Sequence, residues 1–178
     1  EYKLQNIVNL EETNKRFYRY GSFASHLIGF TGVDNQGLAG IEAAYDEYLA
    51  GVDGKSVKAA DGYGNELDSG VGSTYIPATD GLNVVTTIDW AIQNSVEKYI
   101  RGAYEEHQPN GRVECIVMDV DNGEILASAI YPNYDLNNYN TLSDYYQRQH
   151  DIFIGTESER TQYKSELLYK MWNNTIAA

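Results

Sequence analysis

The sequence predicts an α+β fold: a glycine-rich first half of short strands with one helix, then a long helix, a β-hairpin and C-terminal helices. Three observations carry that expectation. Twelve of the 16 glycines precede Val85 and four follow it, so turns and short strands should crowd the first half, with longer elements in the second. Val113 to Pro132 reads as two apolar, β-branched segments around Asp121-Asn122-Gly123, where Asn and Gly tolerate the positive φ of a tight hairpin turn. Helical periodicity flanks this hairpin instead of alternating with single strands, which favours α+β over repeated βαβ units.

Taken in order, Gly40 to Leu49 places apolar residues at Ile41, Ala44, Tyr45, Tyr48 and Leu49, the stripe of one amphipathic helix that Gly51 would end. Lys55 to Leu67 fits two short strands around Asp61-Gly62, and Ser73 to Pro77 is a second short crossing before the turn at Asp80-Gly81. A boundary is placed near residues 80 to 86, giving units 1–84 and 85–178. Thr87 to His107 is the longest helix, with Ile88, Ile92, Val96, Tyr99 and Ala103 as its apolar stripe, Thr87 or Asp89 as its cap, and Gln108-Pro109-Asn110-Gly111 as its stop. The hairpin strands are so nearly continuous in apolar residues, Ile116 to Met118 and Ile125 to Ile130, that both sheet faces are expected to be covered. Beyond a tyrosine-rich stretch from Asn133 to Asn140 come two more helices. The last opens on Thr156-Glu157-Ser158-Glu159, a capping-box pattern, and runs through Tyr163, Leu167 and Met171.

Composition narrows the function classes. The formal net charge is −13, with 12 acids against 6 bases up to residue 84 and 14 against 7 after it. With no basic region, nucleic acid is not the expected partner. No apolar run of membrane-spanning length occurs, and the start E-Y-K-L-Q-N-I-V is not a signal peptide. Any anchor or export signal is therefore expected to have been removed or never to have been present. Cys115 forms no internal disulfide and reads as a small buried side chain.

Candidate chemistry is sparse. Asp119 to Glu124 alternates carboxylates, but its glycine comes one place early for a calcium loop and the twelfth position is Ile130, so it reads as a turn. His26, His107 and His150 lack ligand spacing, so no metal is assigned and no cofactor is expected. No serine is read as the nucleophile of an S-x-x-K pair. Adjacent acids such as Glu105 and Glu106 splay apart on a helix and read as a solvated face. The 16 tyrosines leave open a carbohydrate-binding surface.

Several segments in series resemble class B penicillin-binding proteins, the transpeptidases that crosslink peptidoglycan. Arg16-Phe17-Tyr18-Arg19-Tyr20-Gly21 followed by Ala24-Ser25-His26-Leu27-Ile28-Gly29-Phe30 is similar to the family's first pedestal motif. Gly37-Leu38-Ala39-Gly40-Ile41-Glu42 resembles G-x-x-G-[IL]-E, and Leu49 to Gly54 resembles L-x-G-x-x-G, carrying Gly51 and Gly54. Thr87-Ile88-Asp89 with Gln93 resembles the entry to the first transpeptidase helix. Gly123-Glu124-Ile125-Leu126-Ala127, Pro132 and Asn137 resemble the first transpeptidase strands. Arg19 and Leu136 stand where the family usually has proline. The stretch from Tyr134 to Met171, with Trp172-Asn173-Asn174 at its end, looks like the clostridial or sporulation-type branch.

The resemblance implies a pedestal (dimerisation-type) unit followed by the start of a transpeptidase domain. The family's nucleophilic serine follows shortly after the asparagine that Asn174 would match, so residues 1–178 are expected to hold no catalytic residue and no penicillin-acylated serine. Arg16, Gly21, His26, Gly37, Gly40, Glu42, Gly51, Gly54, Asp89, Gln93 and Gly123 are the implied structural residues, with Arg16 and Glu42 forming a buried bidentate pair. Implied partners are a membrane glycosyltransferase of the shape, elongation, division and sporulation class and a second copy, offered through the Phe17 to Phe30 region, on the outer face of a bacterial cell membrane. The segment Ile125 to Ile130, short of sheet partners, is expected to be poorly ordered, repacked against the later helices, or paired with another copy.

Overall fold

The computed structural model describes residues 15–57 and 74–173. Three short helices come first, α1 (Ser25–Ile28), α2 (Gly40–Ala44) and α3 (Asp46–Leu49), then β1 (Lys55–Val57) and β2 (Thr74–Ile76), which pair antiparallel. The long helix α4 (Trp90–His107) leads into the antiparallel hairpin β3 (Val113–Met118) and β4 (Ile125–Tyr131). A 3-10 turn at Leu136–Asn138 and helices α5 (Asp144–Asp151) and α6 (Glu157–Trp172) complete an α+β architecture.

The single helix expected over Gly40 to Leu49 is two, broken at Tyr45, whose φ of −118° and ψ of 19° leave the helical region. Its apolar stripe is not its buried face: Tyr45 and Tyr48 lie exposed, and the buried residue is Glu42. The strand expected from Lys55 forms, but it pairs with Thr74–Ile76. The Asp61-Gly62 turn lies outside the described residues.

Helix α4 begins three residues later than expected. Asp89 is its cap, its carboxylate accepting the Ile92 N–H at 2.9 Å, and Gln108, in the left-handed region, ends it before Pro109 can continue it. The buried face is Gln93, Ile100 and Tyr104, whereas Tyr99 points into solvent at 73% exposure. Hydrophobicity alone placed the stripe one position off, because a buried polar residue, Gln93, marks the true phase.

The hairpin's loop runs from Asp119 to Glu124 and is longer than a two-residue turn. Asp119 and Asn122 side chains accept from the Asp121 and Glu124 N–H groups, both at 2.9 Å, and of the loop residues only Gly123 takes a positive φ, +77°. Val117 faces Ala127 while Met118 faces Ile125, so Leu126 is an extra residue and the strand bulges there. That bulge has a use: the carbonyls of Leu126 and Ile125 accept from the Asp89 N–H (2.9 Å) and the Thr87 hydroxyl (2.7 Å), docking the entry of α4 onto the strand.

On β3 only one face of the hairpin is covered. Helix α4 packs mainly on β4, leaving Ile116 and Met118 on β3 about half exposed. The expectation of two covered faces therefore fails for β3. Nor is Ile125 to Ile130 repacked on the later helices: apart from the bulge at Leu126 it is a continuous strand, with Ala127, Ala129 and Ile130 buried beneath α4 and α1. Cys115 is a free, half-buried thiol on β3.

The hydrophobic core lies elsewhere. Phe30 joins Tyr134, Leu136, Leu142, Tyr146, Leu167 and Met171 in one buried cluster. Phe30 stacks on Tyr139 at 4.1 Å and lies 5.1 Å from Trp172, whose indole N–H donates to the Tyr139 carbonyl at 2.8 Å. Helix α6 supplies Leu167 and Met171 from a start fixed by the expected capping box: the Glu159 N–H donates to Thr156 Oγ1 and the Thr156 N–H to Glu159 Oε2. A residue near the chain's start thus sits in a core built from its end.

Candidate functional site

The feature with the most organised polar geometry is the contact between the Arg16–Phe30 segment and the second half of the chain. Two side-chain amides build it. Asn137 Oδ1 accepts the Tyr18 N–H at 2.9 Å while its Nδ2 donates to the Tyr18 carbonyl at 2.8 Å. Gln93 does the same to β4: its Oε1 accepts the Ser128 N–H at 2.8 Å and its Nε2 donates to the Ser128 carbonyl at 3.0 Å. Each amide reads both backbone groups of one residue, as a paired strand would, and the pairing fixes which end of each amide is oxygen. Gln93 is fully buried, so removing it would strand both Ser128 groups.

Glu97 joins the two halves. One of its oxygens accepts both the Gln93 Nε2–H and the Ala24 N–H, each at 2.7 Å. Ala24 is in the left-handed region, with φ 46° and ψ 35°, a conformation that costs an alanine about 1 kcal/mol. A short hydrogen bond from its N–H to the Glu97 carboxylate holds it there. Around this point the Leu136 N–H donates to the Gly21 carbonyl and the Tyr134 hydroxyl to the Ser25 carbonyl, each at 3.3 Å.

His26 closes the contact on the far side. It is buried, and its Nε2 lies 3.0 Å from the Met171 carbonyl at the end of α6. A carbonyl only accepts, so Nε2 carries the proton and Nδ1, 3.4 Å from Ser25 Oγ, is the acceptor. Burial, with the Arg112 charge adding to it, pulls the imidazole down to about 4 from its ordinary 6.5, against the opposing hydrogen bond to Met171. The ring meets Tyr134 edge-on at 5.0 Å. Burial raises the Tyr134 phenol well above its usual range.

The other implied residues distribute unevenly. Arg16 Nε donates to Glu42 Oε1 at 2.9 Å, but the arginine side chain is 51% exposed and the carboxylate 5%, so the pair is half-buried on one side instead of enclosed. Burial, then the Glu42 charge, raises the nearby Tyr18 phenol, whose oxygen accepts the Thr31 N–H at 3.0 Å. Gly40 has φ +58°, and a Cβ there would fall 2.6 Å from the Gly29 nitrogen, so only glycine lets the start of α2 lie against the end of α1. Gly37 donates to Asp46 at 2.7 Å. Gly51 and Gly54 lie apart from this contact, against residues 76–81, and Gly123 stands in open solvent. Asp89 and Gln93 share the docking of α4 on β4. Ala24, Glu97 and Ser128 are the members that sequence reasoning missed. Glu97 alone left a signal, lying four residues after Gln93 on one helix face.

No nucleophile and base are poised together among the described residues. One S-x-x-K spacing does occur, Ser95-Val96-Glu97-Lys98, so spacing alone does not exclude a serine nucleophile. Ser95 and Lys98 are exposed on α4, and the Ser95 hydroxyl donates to the Ala91 carbonyl of its own helix at 2.8 Å. Ser25 and His26 are adjacent, but both are buried and the histidine's only proton is held by Met171. No cluster of metal-ligating side chains is present among the described residues.

Comparison with known proteins extends the geometry. The penicillin-binding protein dimerisation domain matches residues 2–86. Stage V sporulation protein D of Bacillus subtilis is 36% identical over 135 residues, covering 76% of this chain and 21% of that protein. Peptidoglycan D,D-transpeptidase FtsI of Escherichia coli K12 is 34% identical over 131 residues, 74% of this chain and 22% of that protein. Penicillin-binding protein 2X from Streptococcus thermophilus superposes with a TM-score of 0.55 at 28% identity, over 70% of this chain and 19% of that one. A peptidoglycan synthetase from Bifidobacterium adolescentis gives 0.59 at 30%, over 70% and 22%. The chain spans about a fifth of the length of the curated relatives it matches. With the motif order, the hairpin and these matches in agreement, the chain belongs to the class B penicillin-binding protein family, as a stretch that includes its dimerisation domain.

Proposed function

We propose that this stretch is the scaffold of a peptidoglycan D,D-transpeptidase, a rigid pedestal that holds the first transpeptidase elements in place while bond-making residues are supplied from elsewhere in a longer protein. The observation that carries this reading is the Glu97 bridge between Ala24 and Gln93. It ties the N-terminal segment to the strand β4 through half-buried, hydrogen-bonded polar groups. Such a contact transmits position and performs no chemistry. The family match, to a penicillin-binding protein dimerisation domain, gives the carbohydrate-binding alternative no support.

The scaffold would work at the outer face of the bacterial membrane, with its anchor outside the described residues, none of whose helices is long and apolar enough to cross a membrane. For the partner glycosyltransferase, or a second copy, the available surface is narrower than the Phe17 to Phe30 region. Phe17 and Tyr20 are exposed, whereas Phe30 is core. The test is mass spectrometry of this 178-residue chain after exposure to a fluorescent penicillin. No covalent adduct is expected, and a stoichiometric adduct on any serine would contradict the scaffold reading.

A further inference from the structure

Helix α6 ends at a point held by three distant segments. The last carbonyls of any helix lack partners within it, and a glycine in the left-handed region is the usual local remedy. Here the residue after the helix is Asn173, extended at φ −69° and ψ 123°, so the chain leaves α6 without that cap. Its donors come from elsewhere. His26 Nε2 donates to the Met171 carbonyl at 3.0 Å, and a guanidinium nitrogen of Arg112 donates to the Asn173 carbonyl at 2.7 Å. Between them, the Trp172 indole is fixed to the Tyr139 carbonyl.

The two donors belong to the two halves of the joint. His26 lies on α1, in the N-terminal segment, while Arg112 stands immediately before β3 and opens the hairpin. Neither is a loose surface side chain: His26 is buried, and Arg112 is 24% exposed and lies 3.7 Å from Glu114. Asn173 is itself exposed, so water could satisfy its carbonyl. What the guanidinium adds is direction.

We infer that His26 and Arg112 are positioning residues: together they set the direction in which the chain leaves α6 at Asn173, and through it the placement of the bond-making residues of the longer protein. This rests on the transpeptidase reading proposed above. The Met171 and Asn173 carbonyls bracket the end of the helix, so donors anchored on separate elements fix both where the helix stops and the bearing of the next peptide. One cap alone would leave that peptide free to swing. A displacement of about 1 Å at a reacting group can cost on the order of a hundredfold in rate, so the effect should fall on the chemical step and not on binding.

The test uses the full-length protein and a fluorescent penicillin, with stopped-flow measurements that separate the Kd of the reversible complex from the acylation rate constant k2. Arg112→Gln should lower k2 about tenfold or more with Kd unchanged. Arg112→Lys, which keeps a cationic donor, should recover part of the loss. Glu42→Ala supplies the control, since it weakens the fold at another contact and should leave k2 unchanged. Circular dichroism checks that each variant folds. A full-length protein that reacts with penicillin at a k2 indifferent to Arg112→Gln would overturn the inference alone. So would an equal fall in Glu42→Ala, which would make Arg112 a stabilising cap and nothing more. A full-length protein that penicillin does not acylate would overturn the transpeptidase reading, and this inference with it.

Discussion

Two parts of the motif-rich first half behave in opposite ways. The Arg16–Phe30 segment is drawn into the body of the molecule, with Ala24, Ser25, His26 and Phe30 each less than a tenth exposed. Beyond α2, the stretch from Tyr45 through α3 and the β1–β2 pair is turned outward, with Tyr45, Tyr48, Val52, Tyr75 and Ile76 all substantially exposed. Both lie within the stretch that matches the family's dimerisation domain. The difference shows that a motif can encode either an internal joint or an outward surface, and that only burial and hydrogen-bond partners tell which.

The comparison is sharpest when the joint is cut. Phe30→Ala should cost about 3–5 kcal/mol, since the stacked and tilted rings of Tyr139 and Trp172 cannot collapse fully onto the gap. Chemical denaturation reads this directly, whereas Tyr48→Ala or Val52→Ala should stay within about 0.5 kcal/mol. Equal effects in the two regions would break the distinction.

Gln93→Ala comes next, at about 2–3 kcal/mol, because it strands the Ser128 N–H and carbonyl and deprives Glu97 of one donor. Acidification should act on the same joint. With His26 held at about 4 in the folded chain and at its ordinary 6.5 when unfolded, the unfolded state binds more protons between those values. The contribution of the neutral, buried ring is therefore complete above pH 6.5, is lost as pH falls toward 4, and amounts to about 3 kcal/mol over that window. Thermal melts of the parent and His26→Gln should converge across the window if His26 is the source.

Glu42→Ala should cost less, about 1 kcal/mol, since its arginine partner is half in water. A change no larger than that of Tyr48→Ala would remove Arg16–Glu42 from the joint. Ala24→Gly should stabilise by up to about 1 kcal/mol by relieving the left-handed alanine.

Much of the local structure was legible beforehand, and for physical reasons. Caps and turns are written in a few adjacent residues, so Asp89, the Thr156–Glu159 box and the hairpin could be read from the chain. The motif order carried the family. What stayed hidden depends on distant partners: Gln93 occupies the buried face of α4 because the backbone of Ser128 satisfies it, and Phe30 is core because α6 returns to cover it. Ile116 and Met118 look as buried as Val117 in sequence, and only the placement of α4 on a single face separates them.

The central claim is that the N-terminal segment and the hairpin form one cooperative unit through Glu97. Native-state hydrogen exchange at the Ala24 and Ser128 amides tests it most directly. The two should exchange with the same opening free energy, and Glu97→Gln should lower both together. Fast, loop-like exchange at Ala24 beside a protected Ser128, unchanged by the substitution, would contradict it.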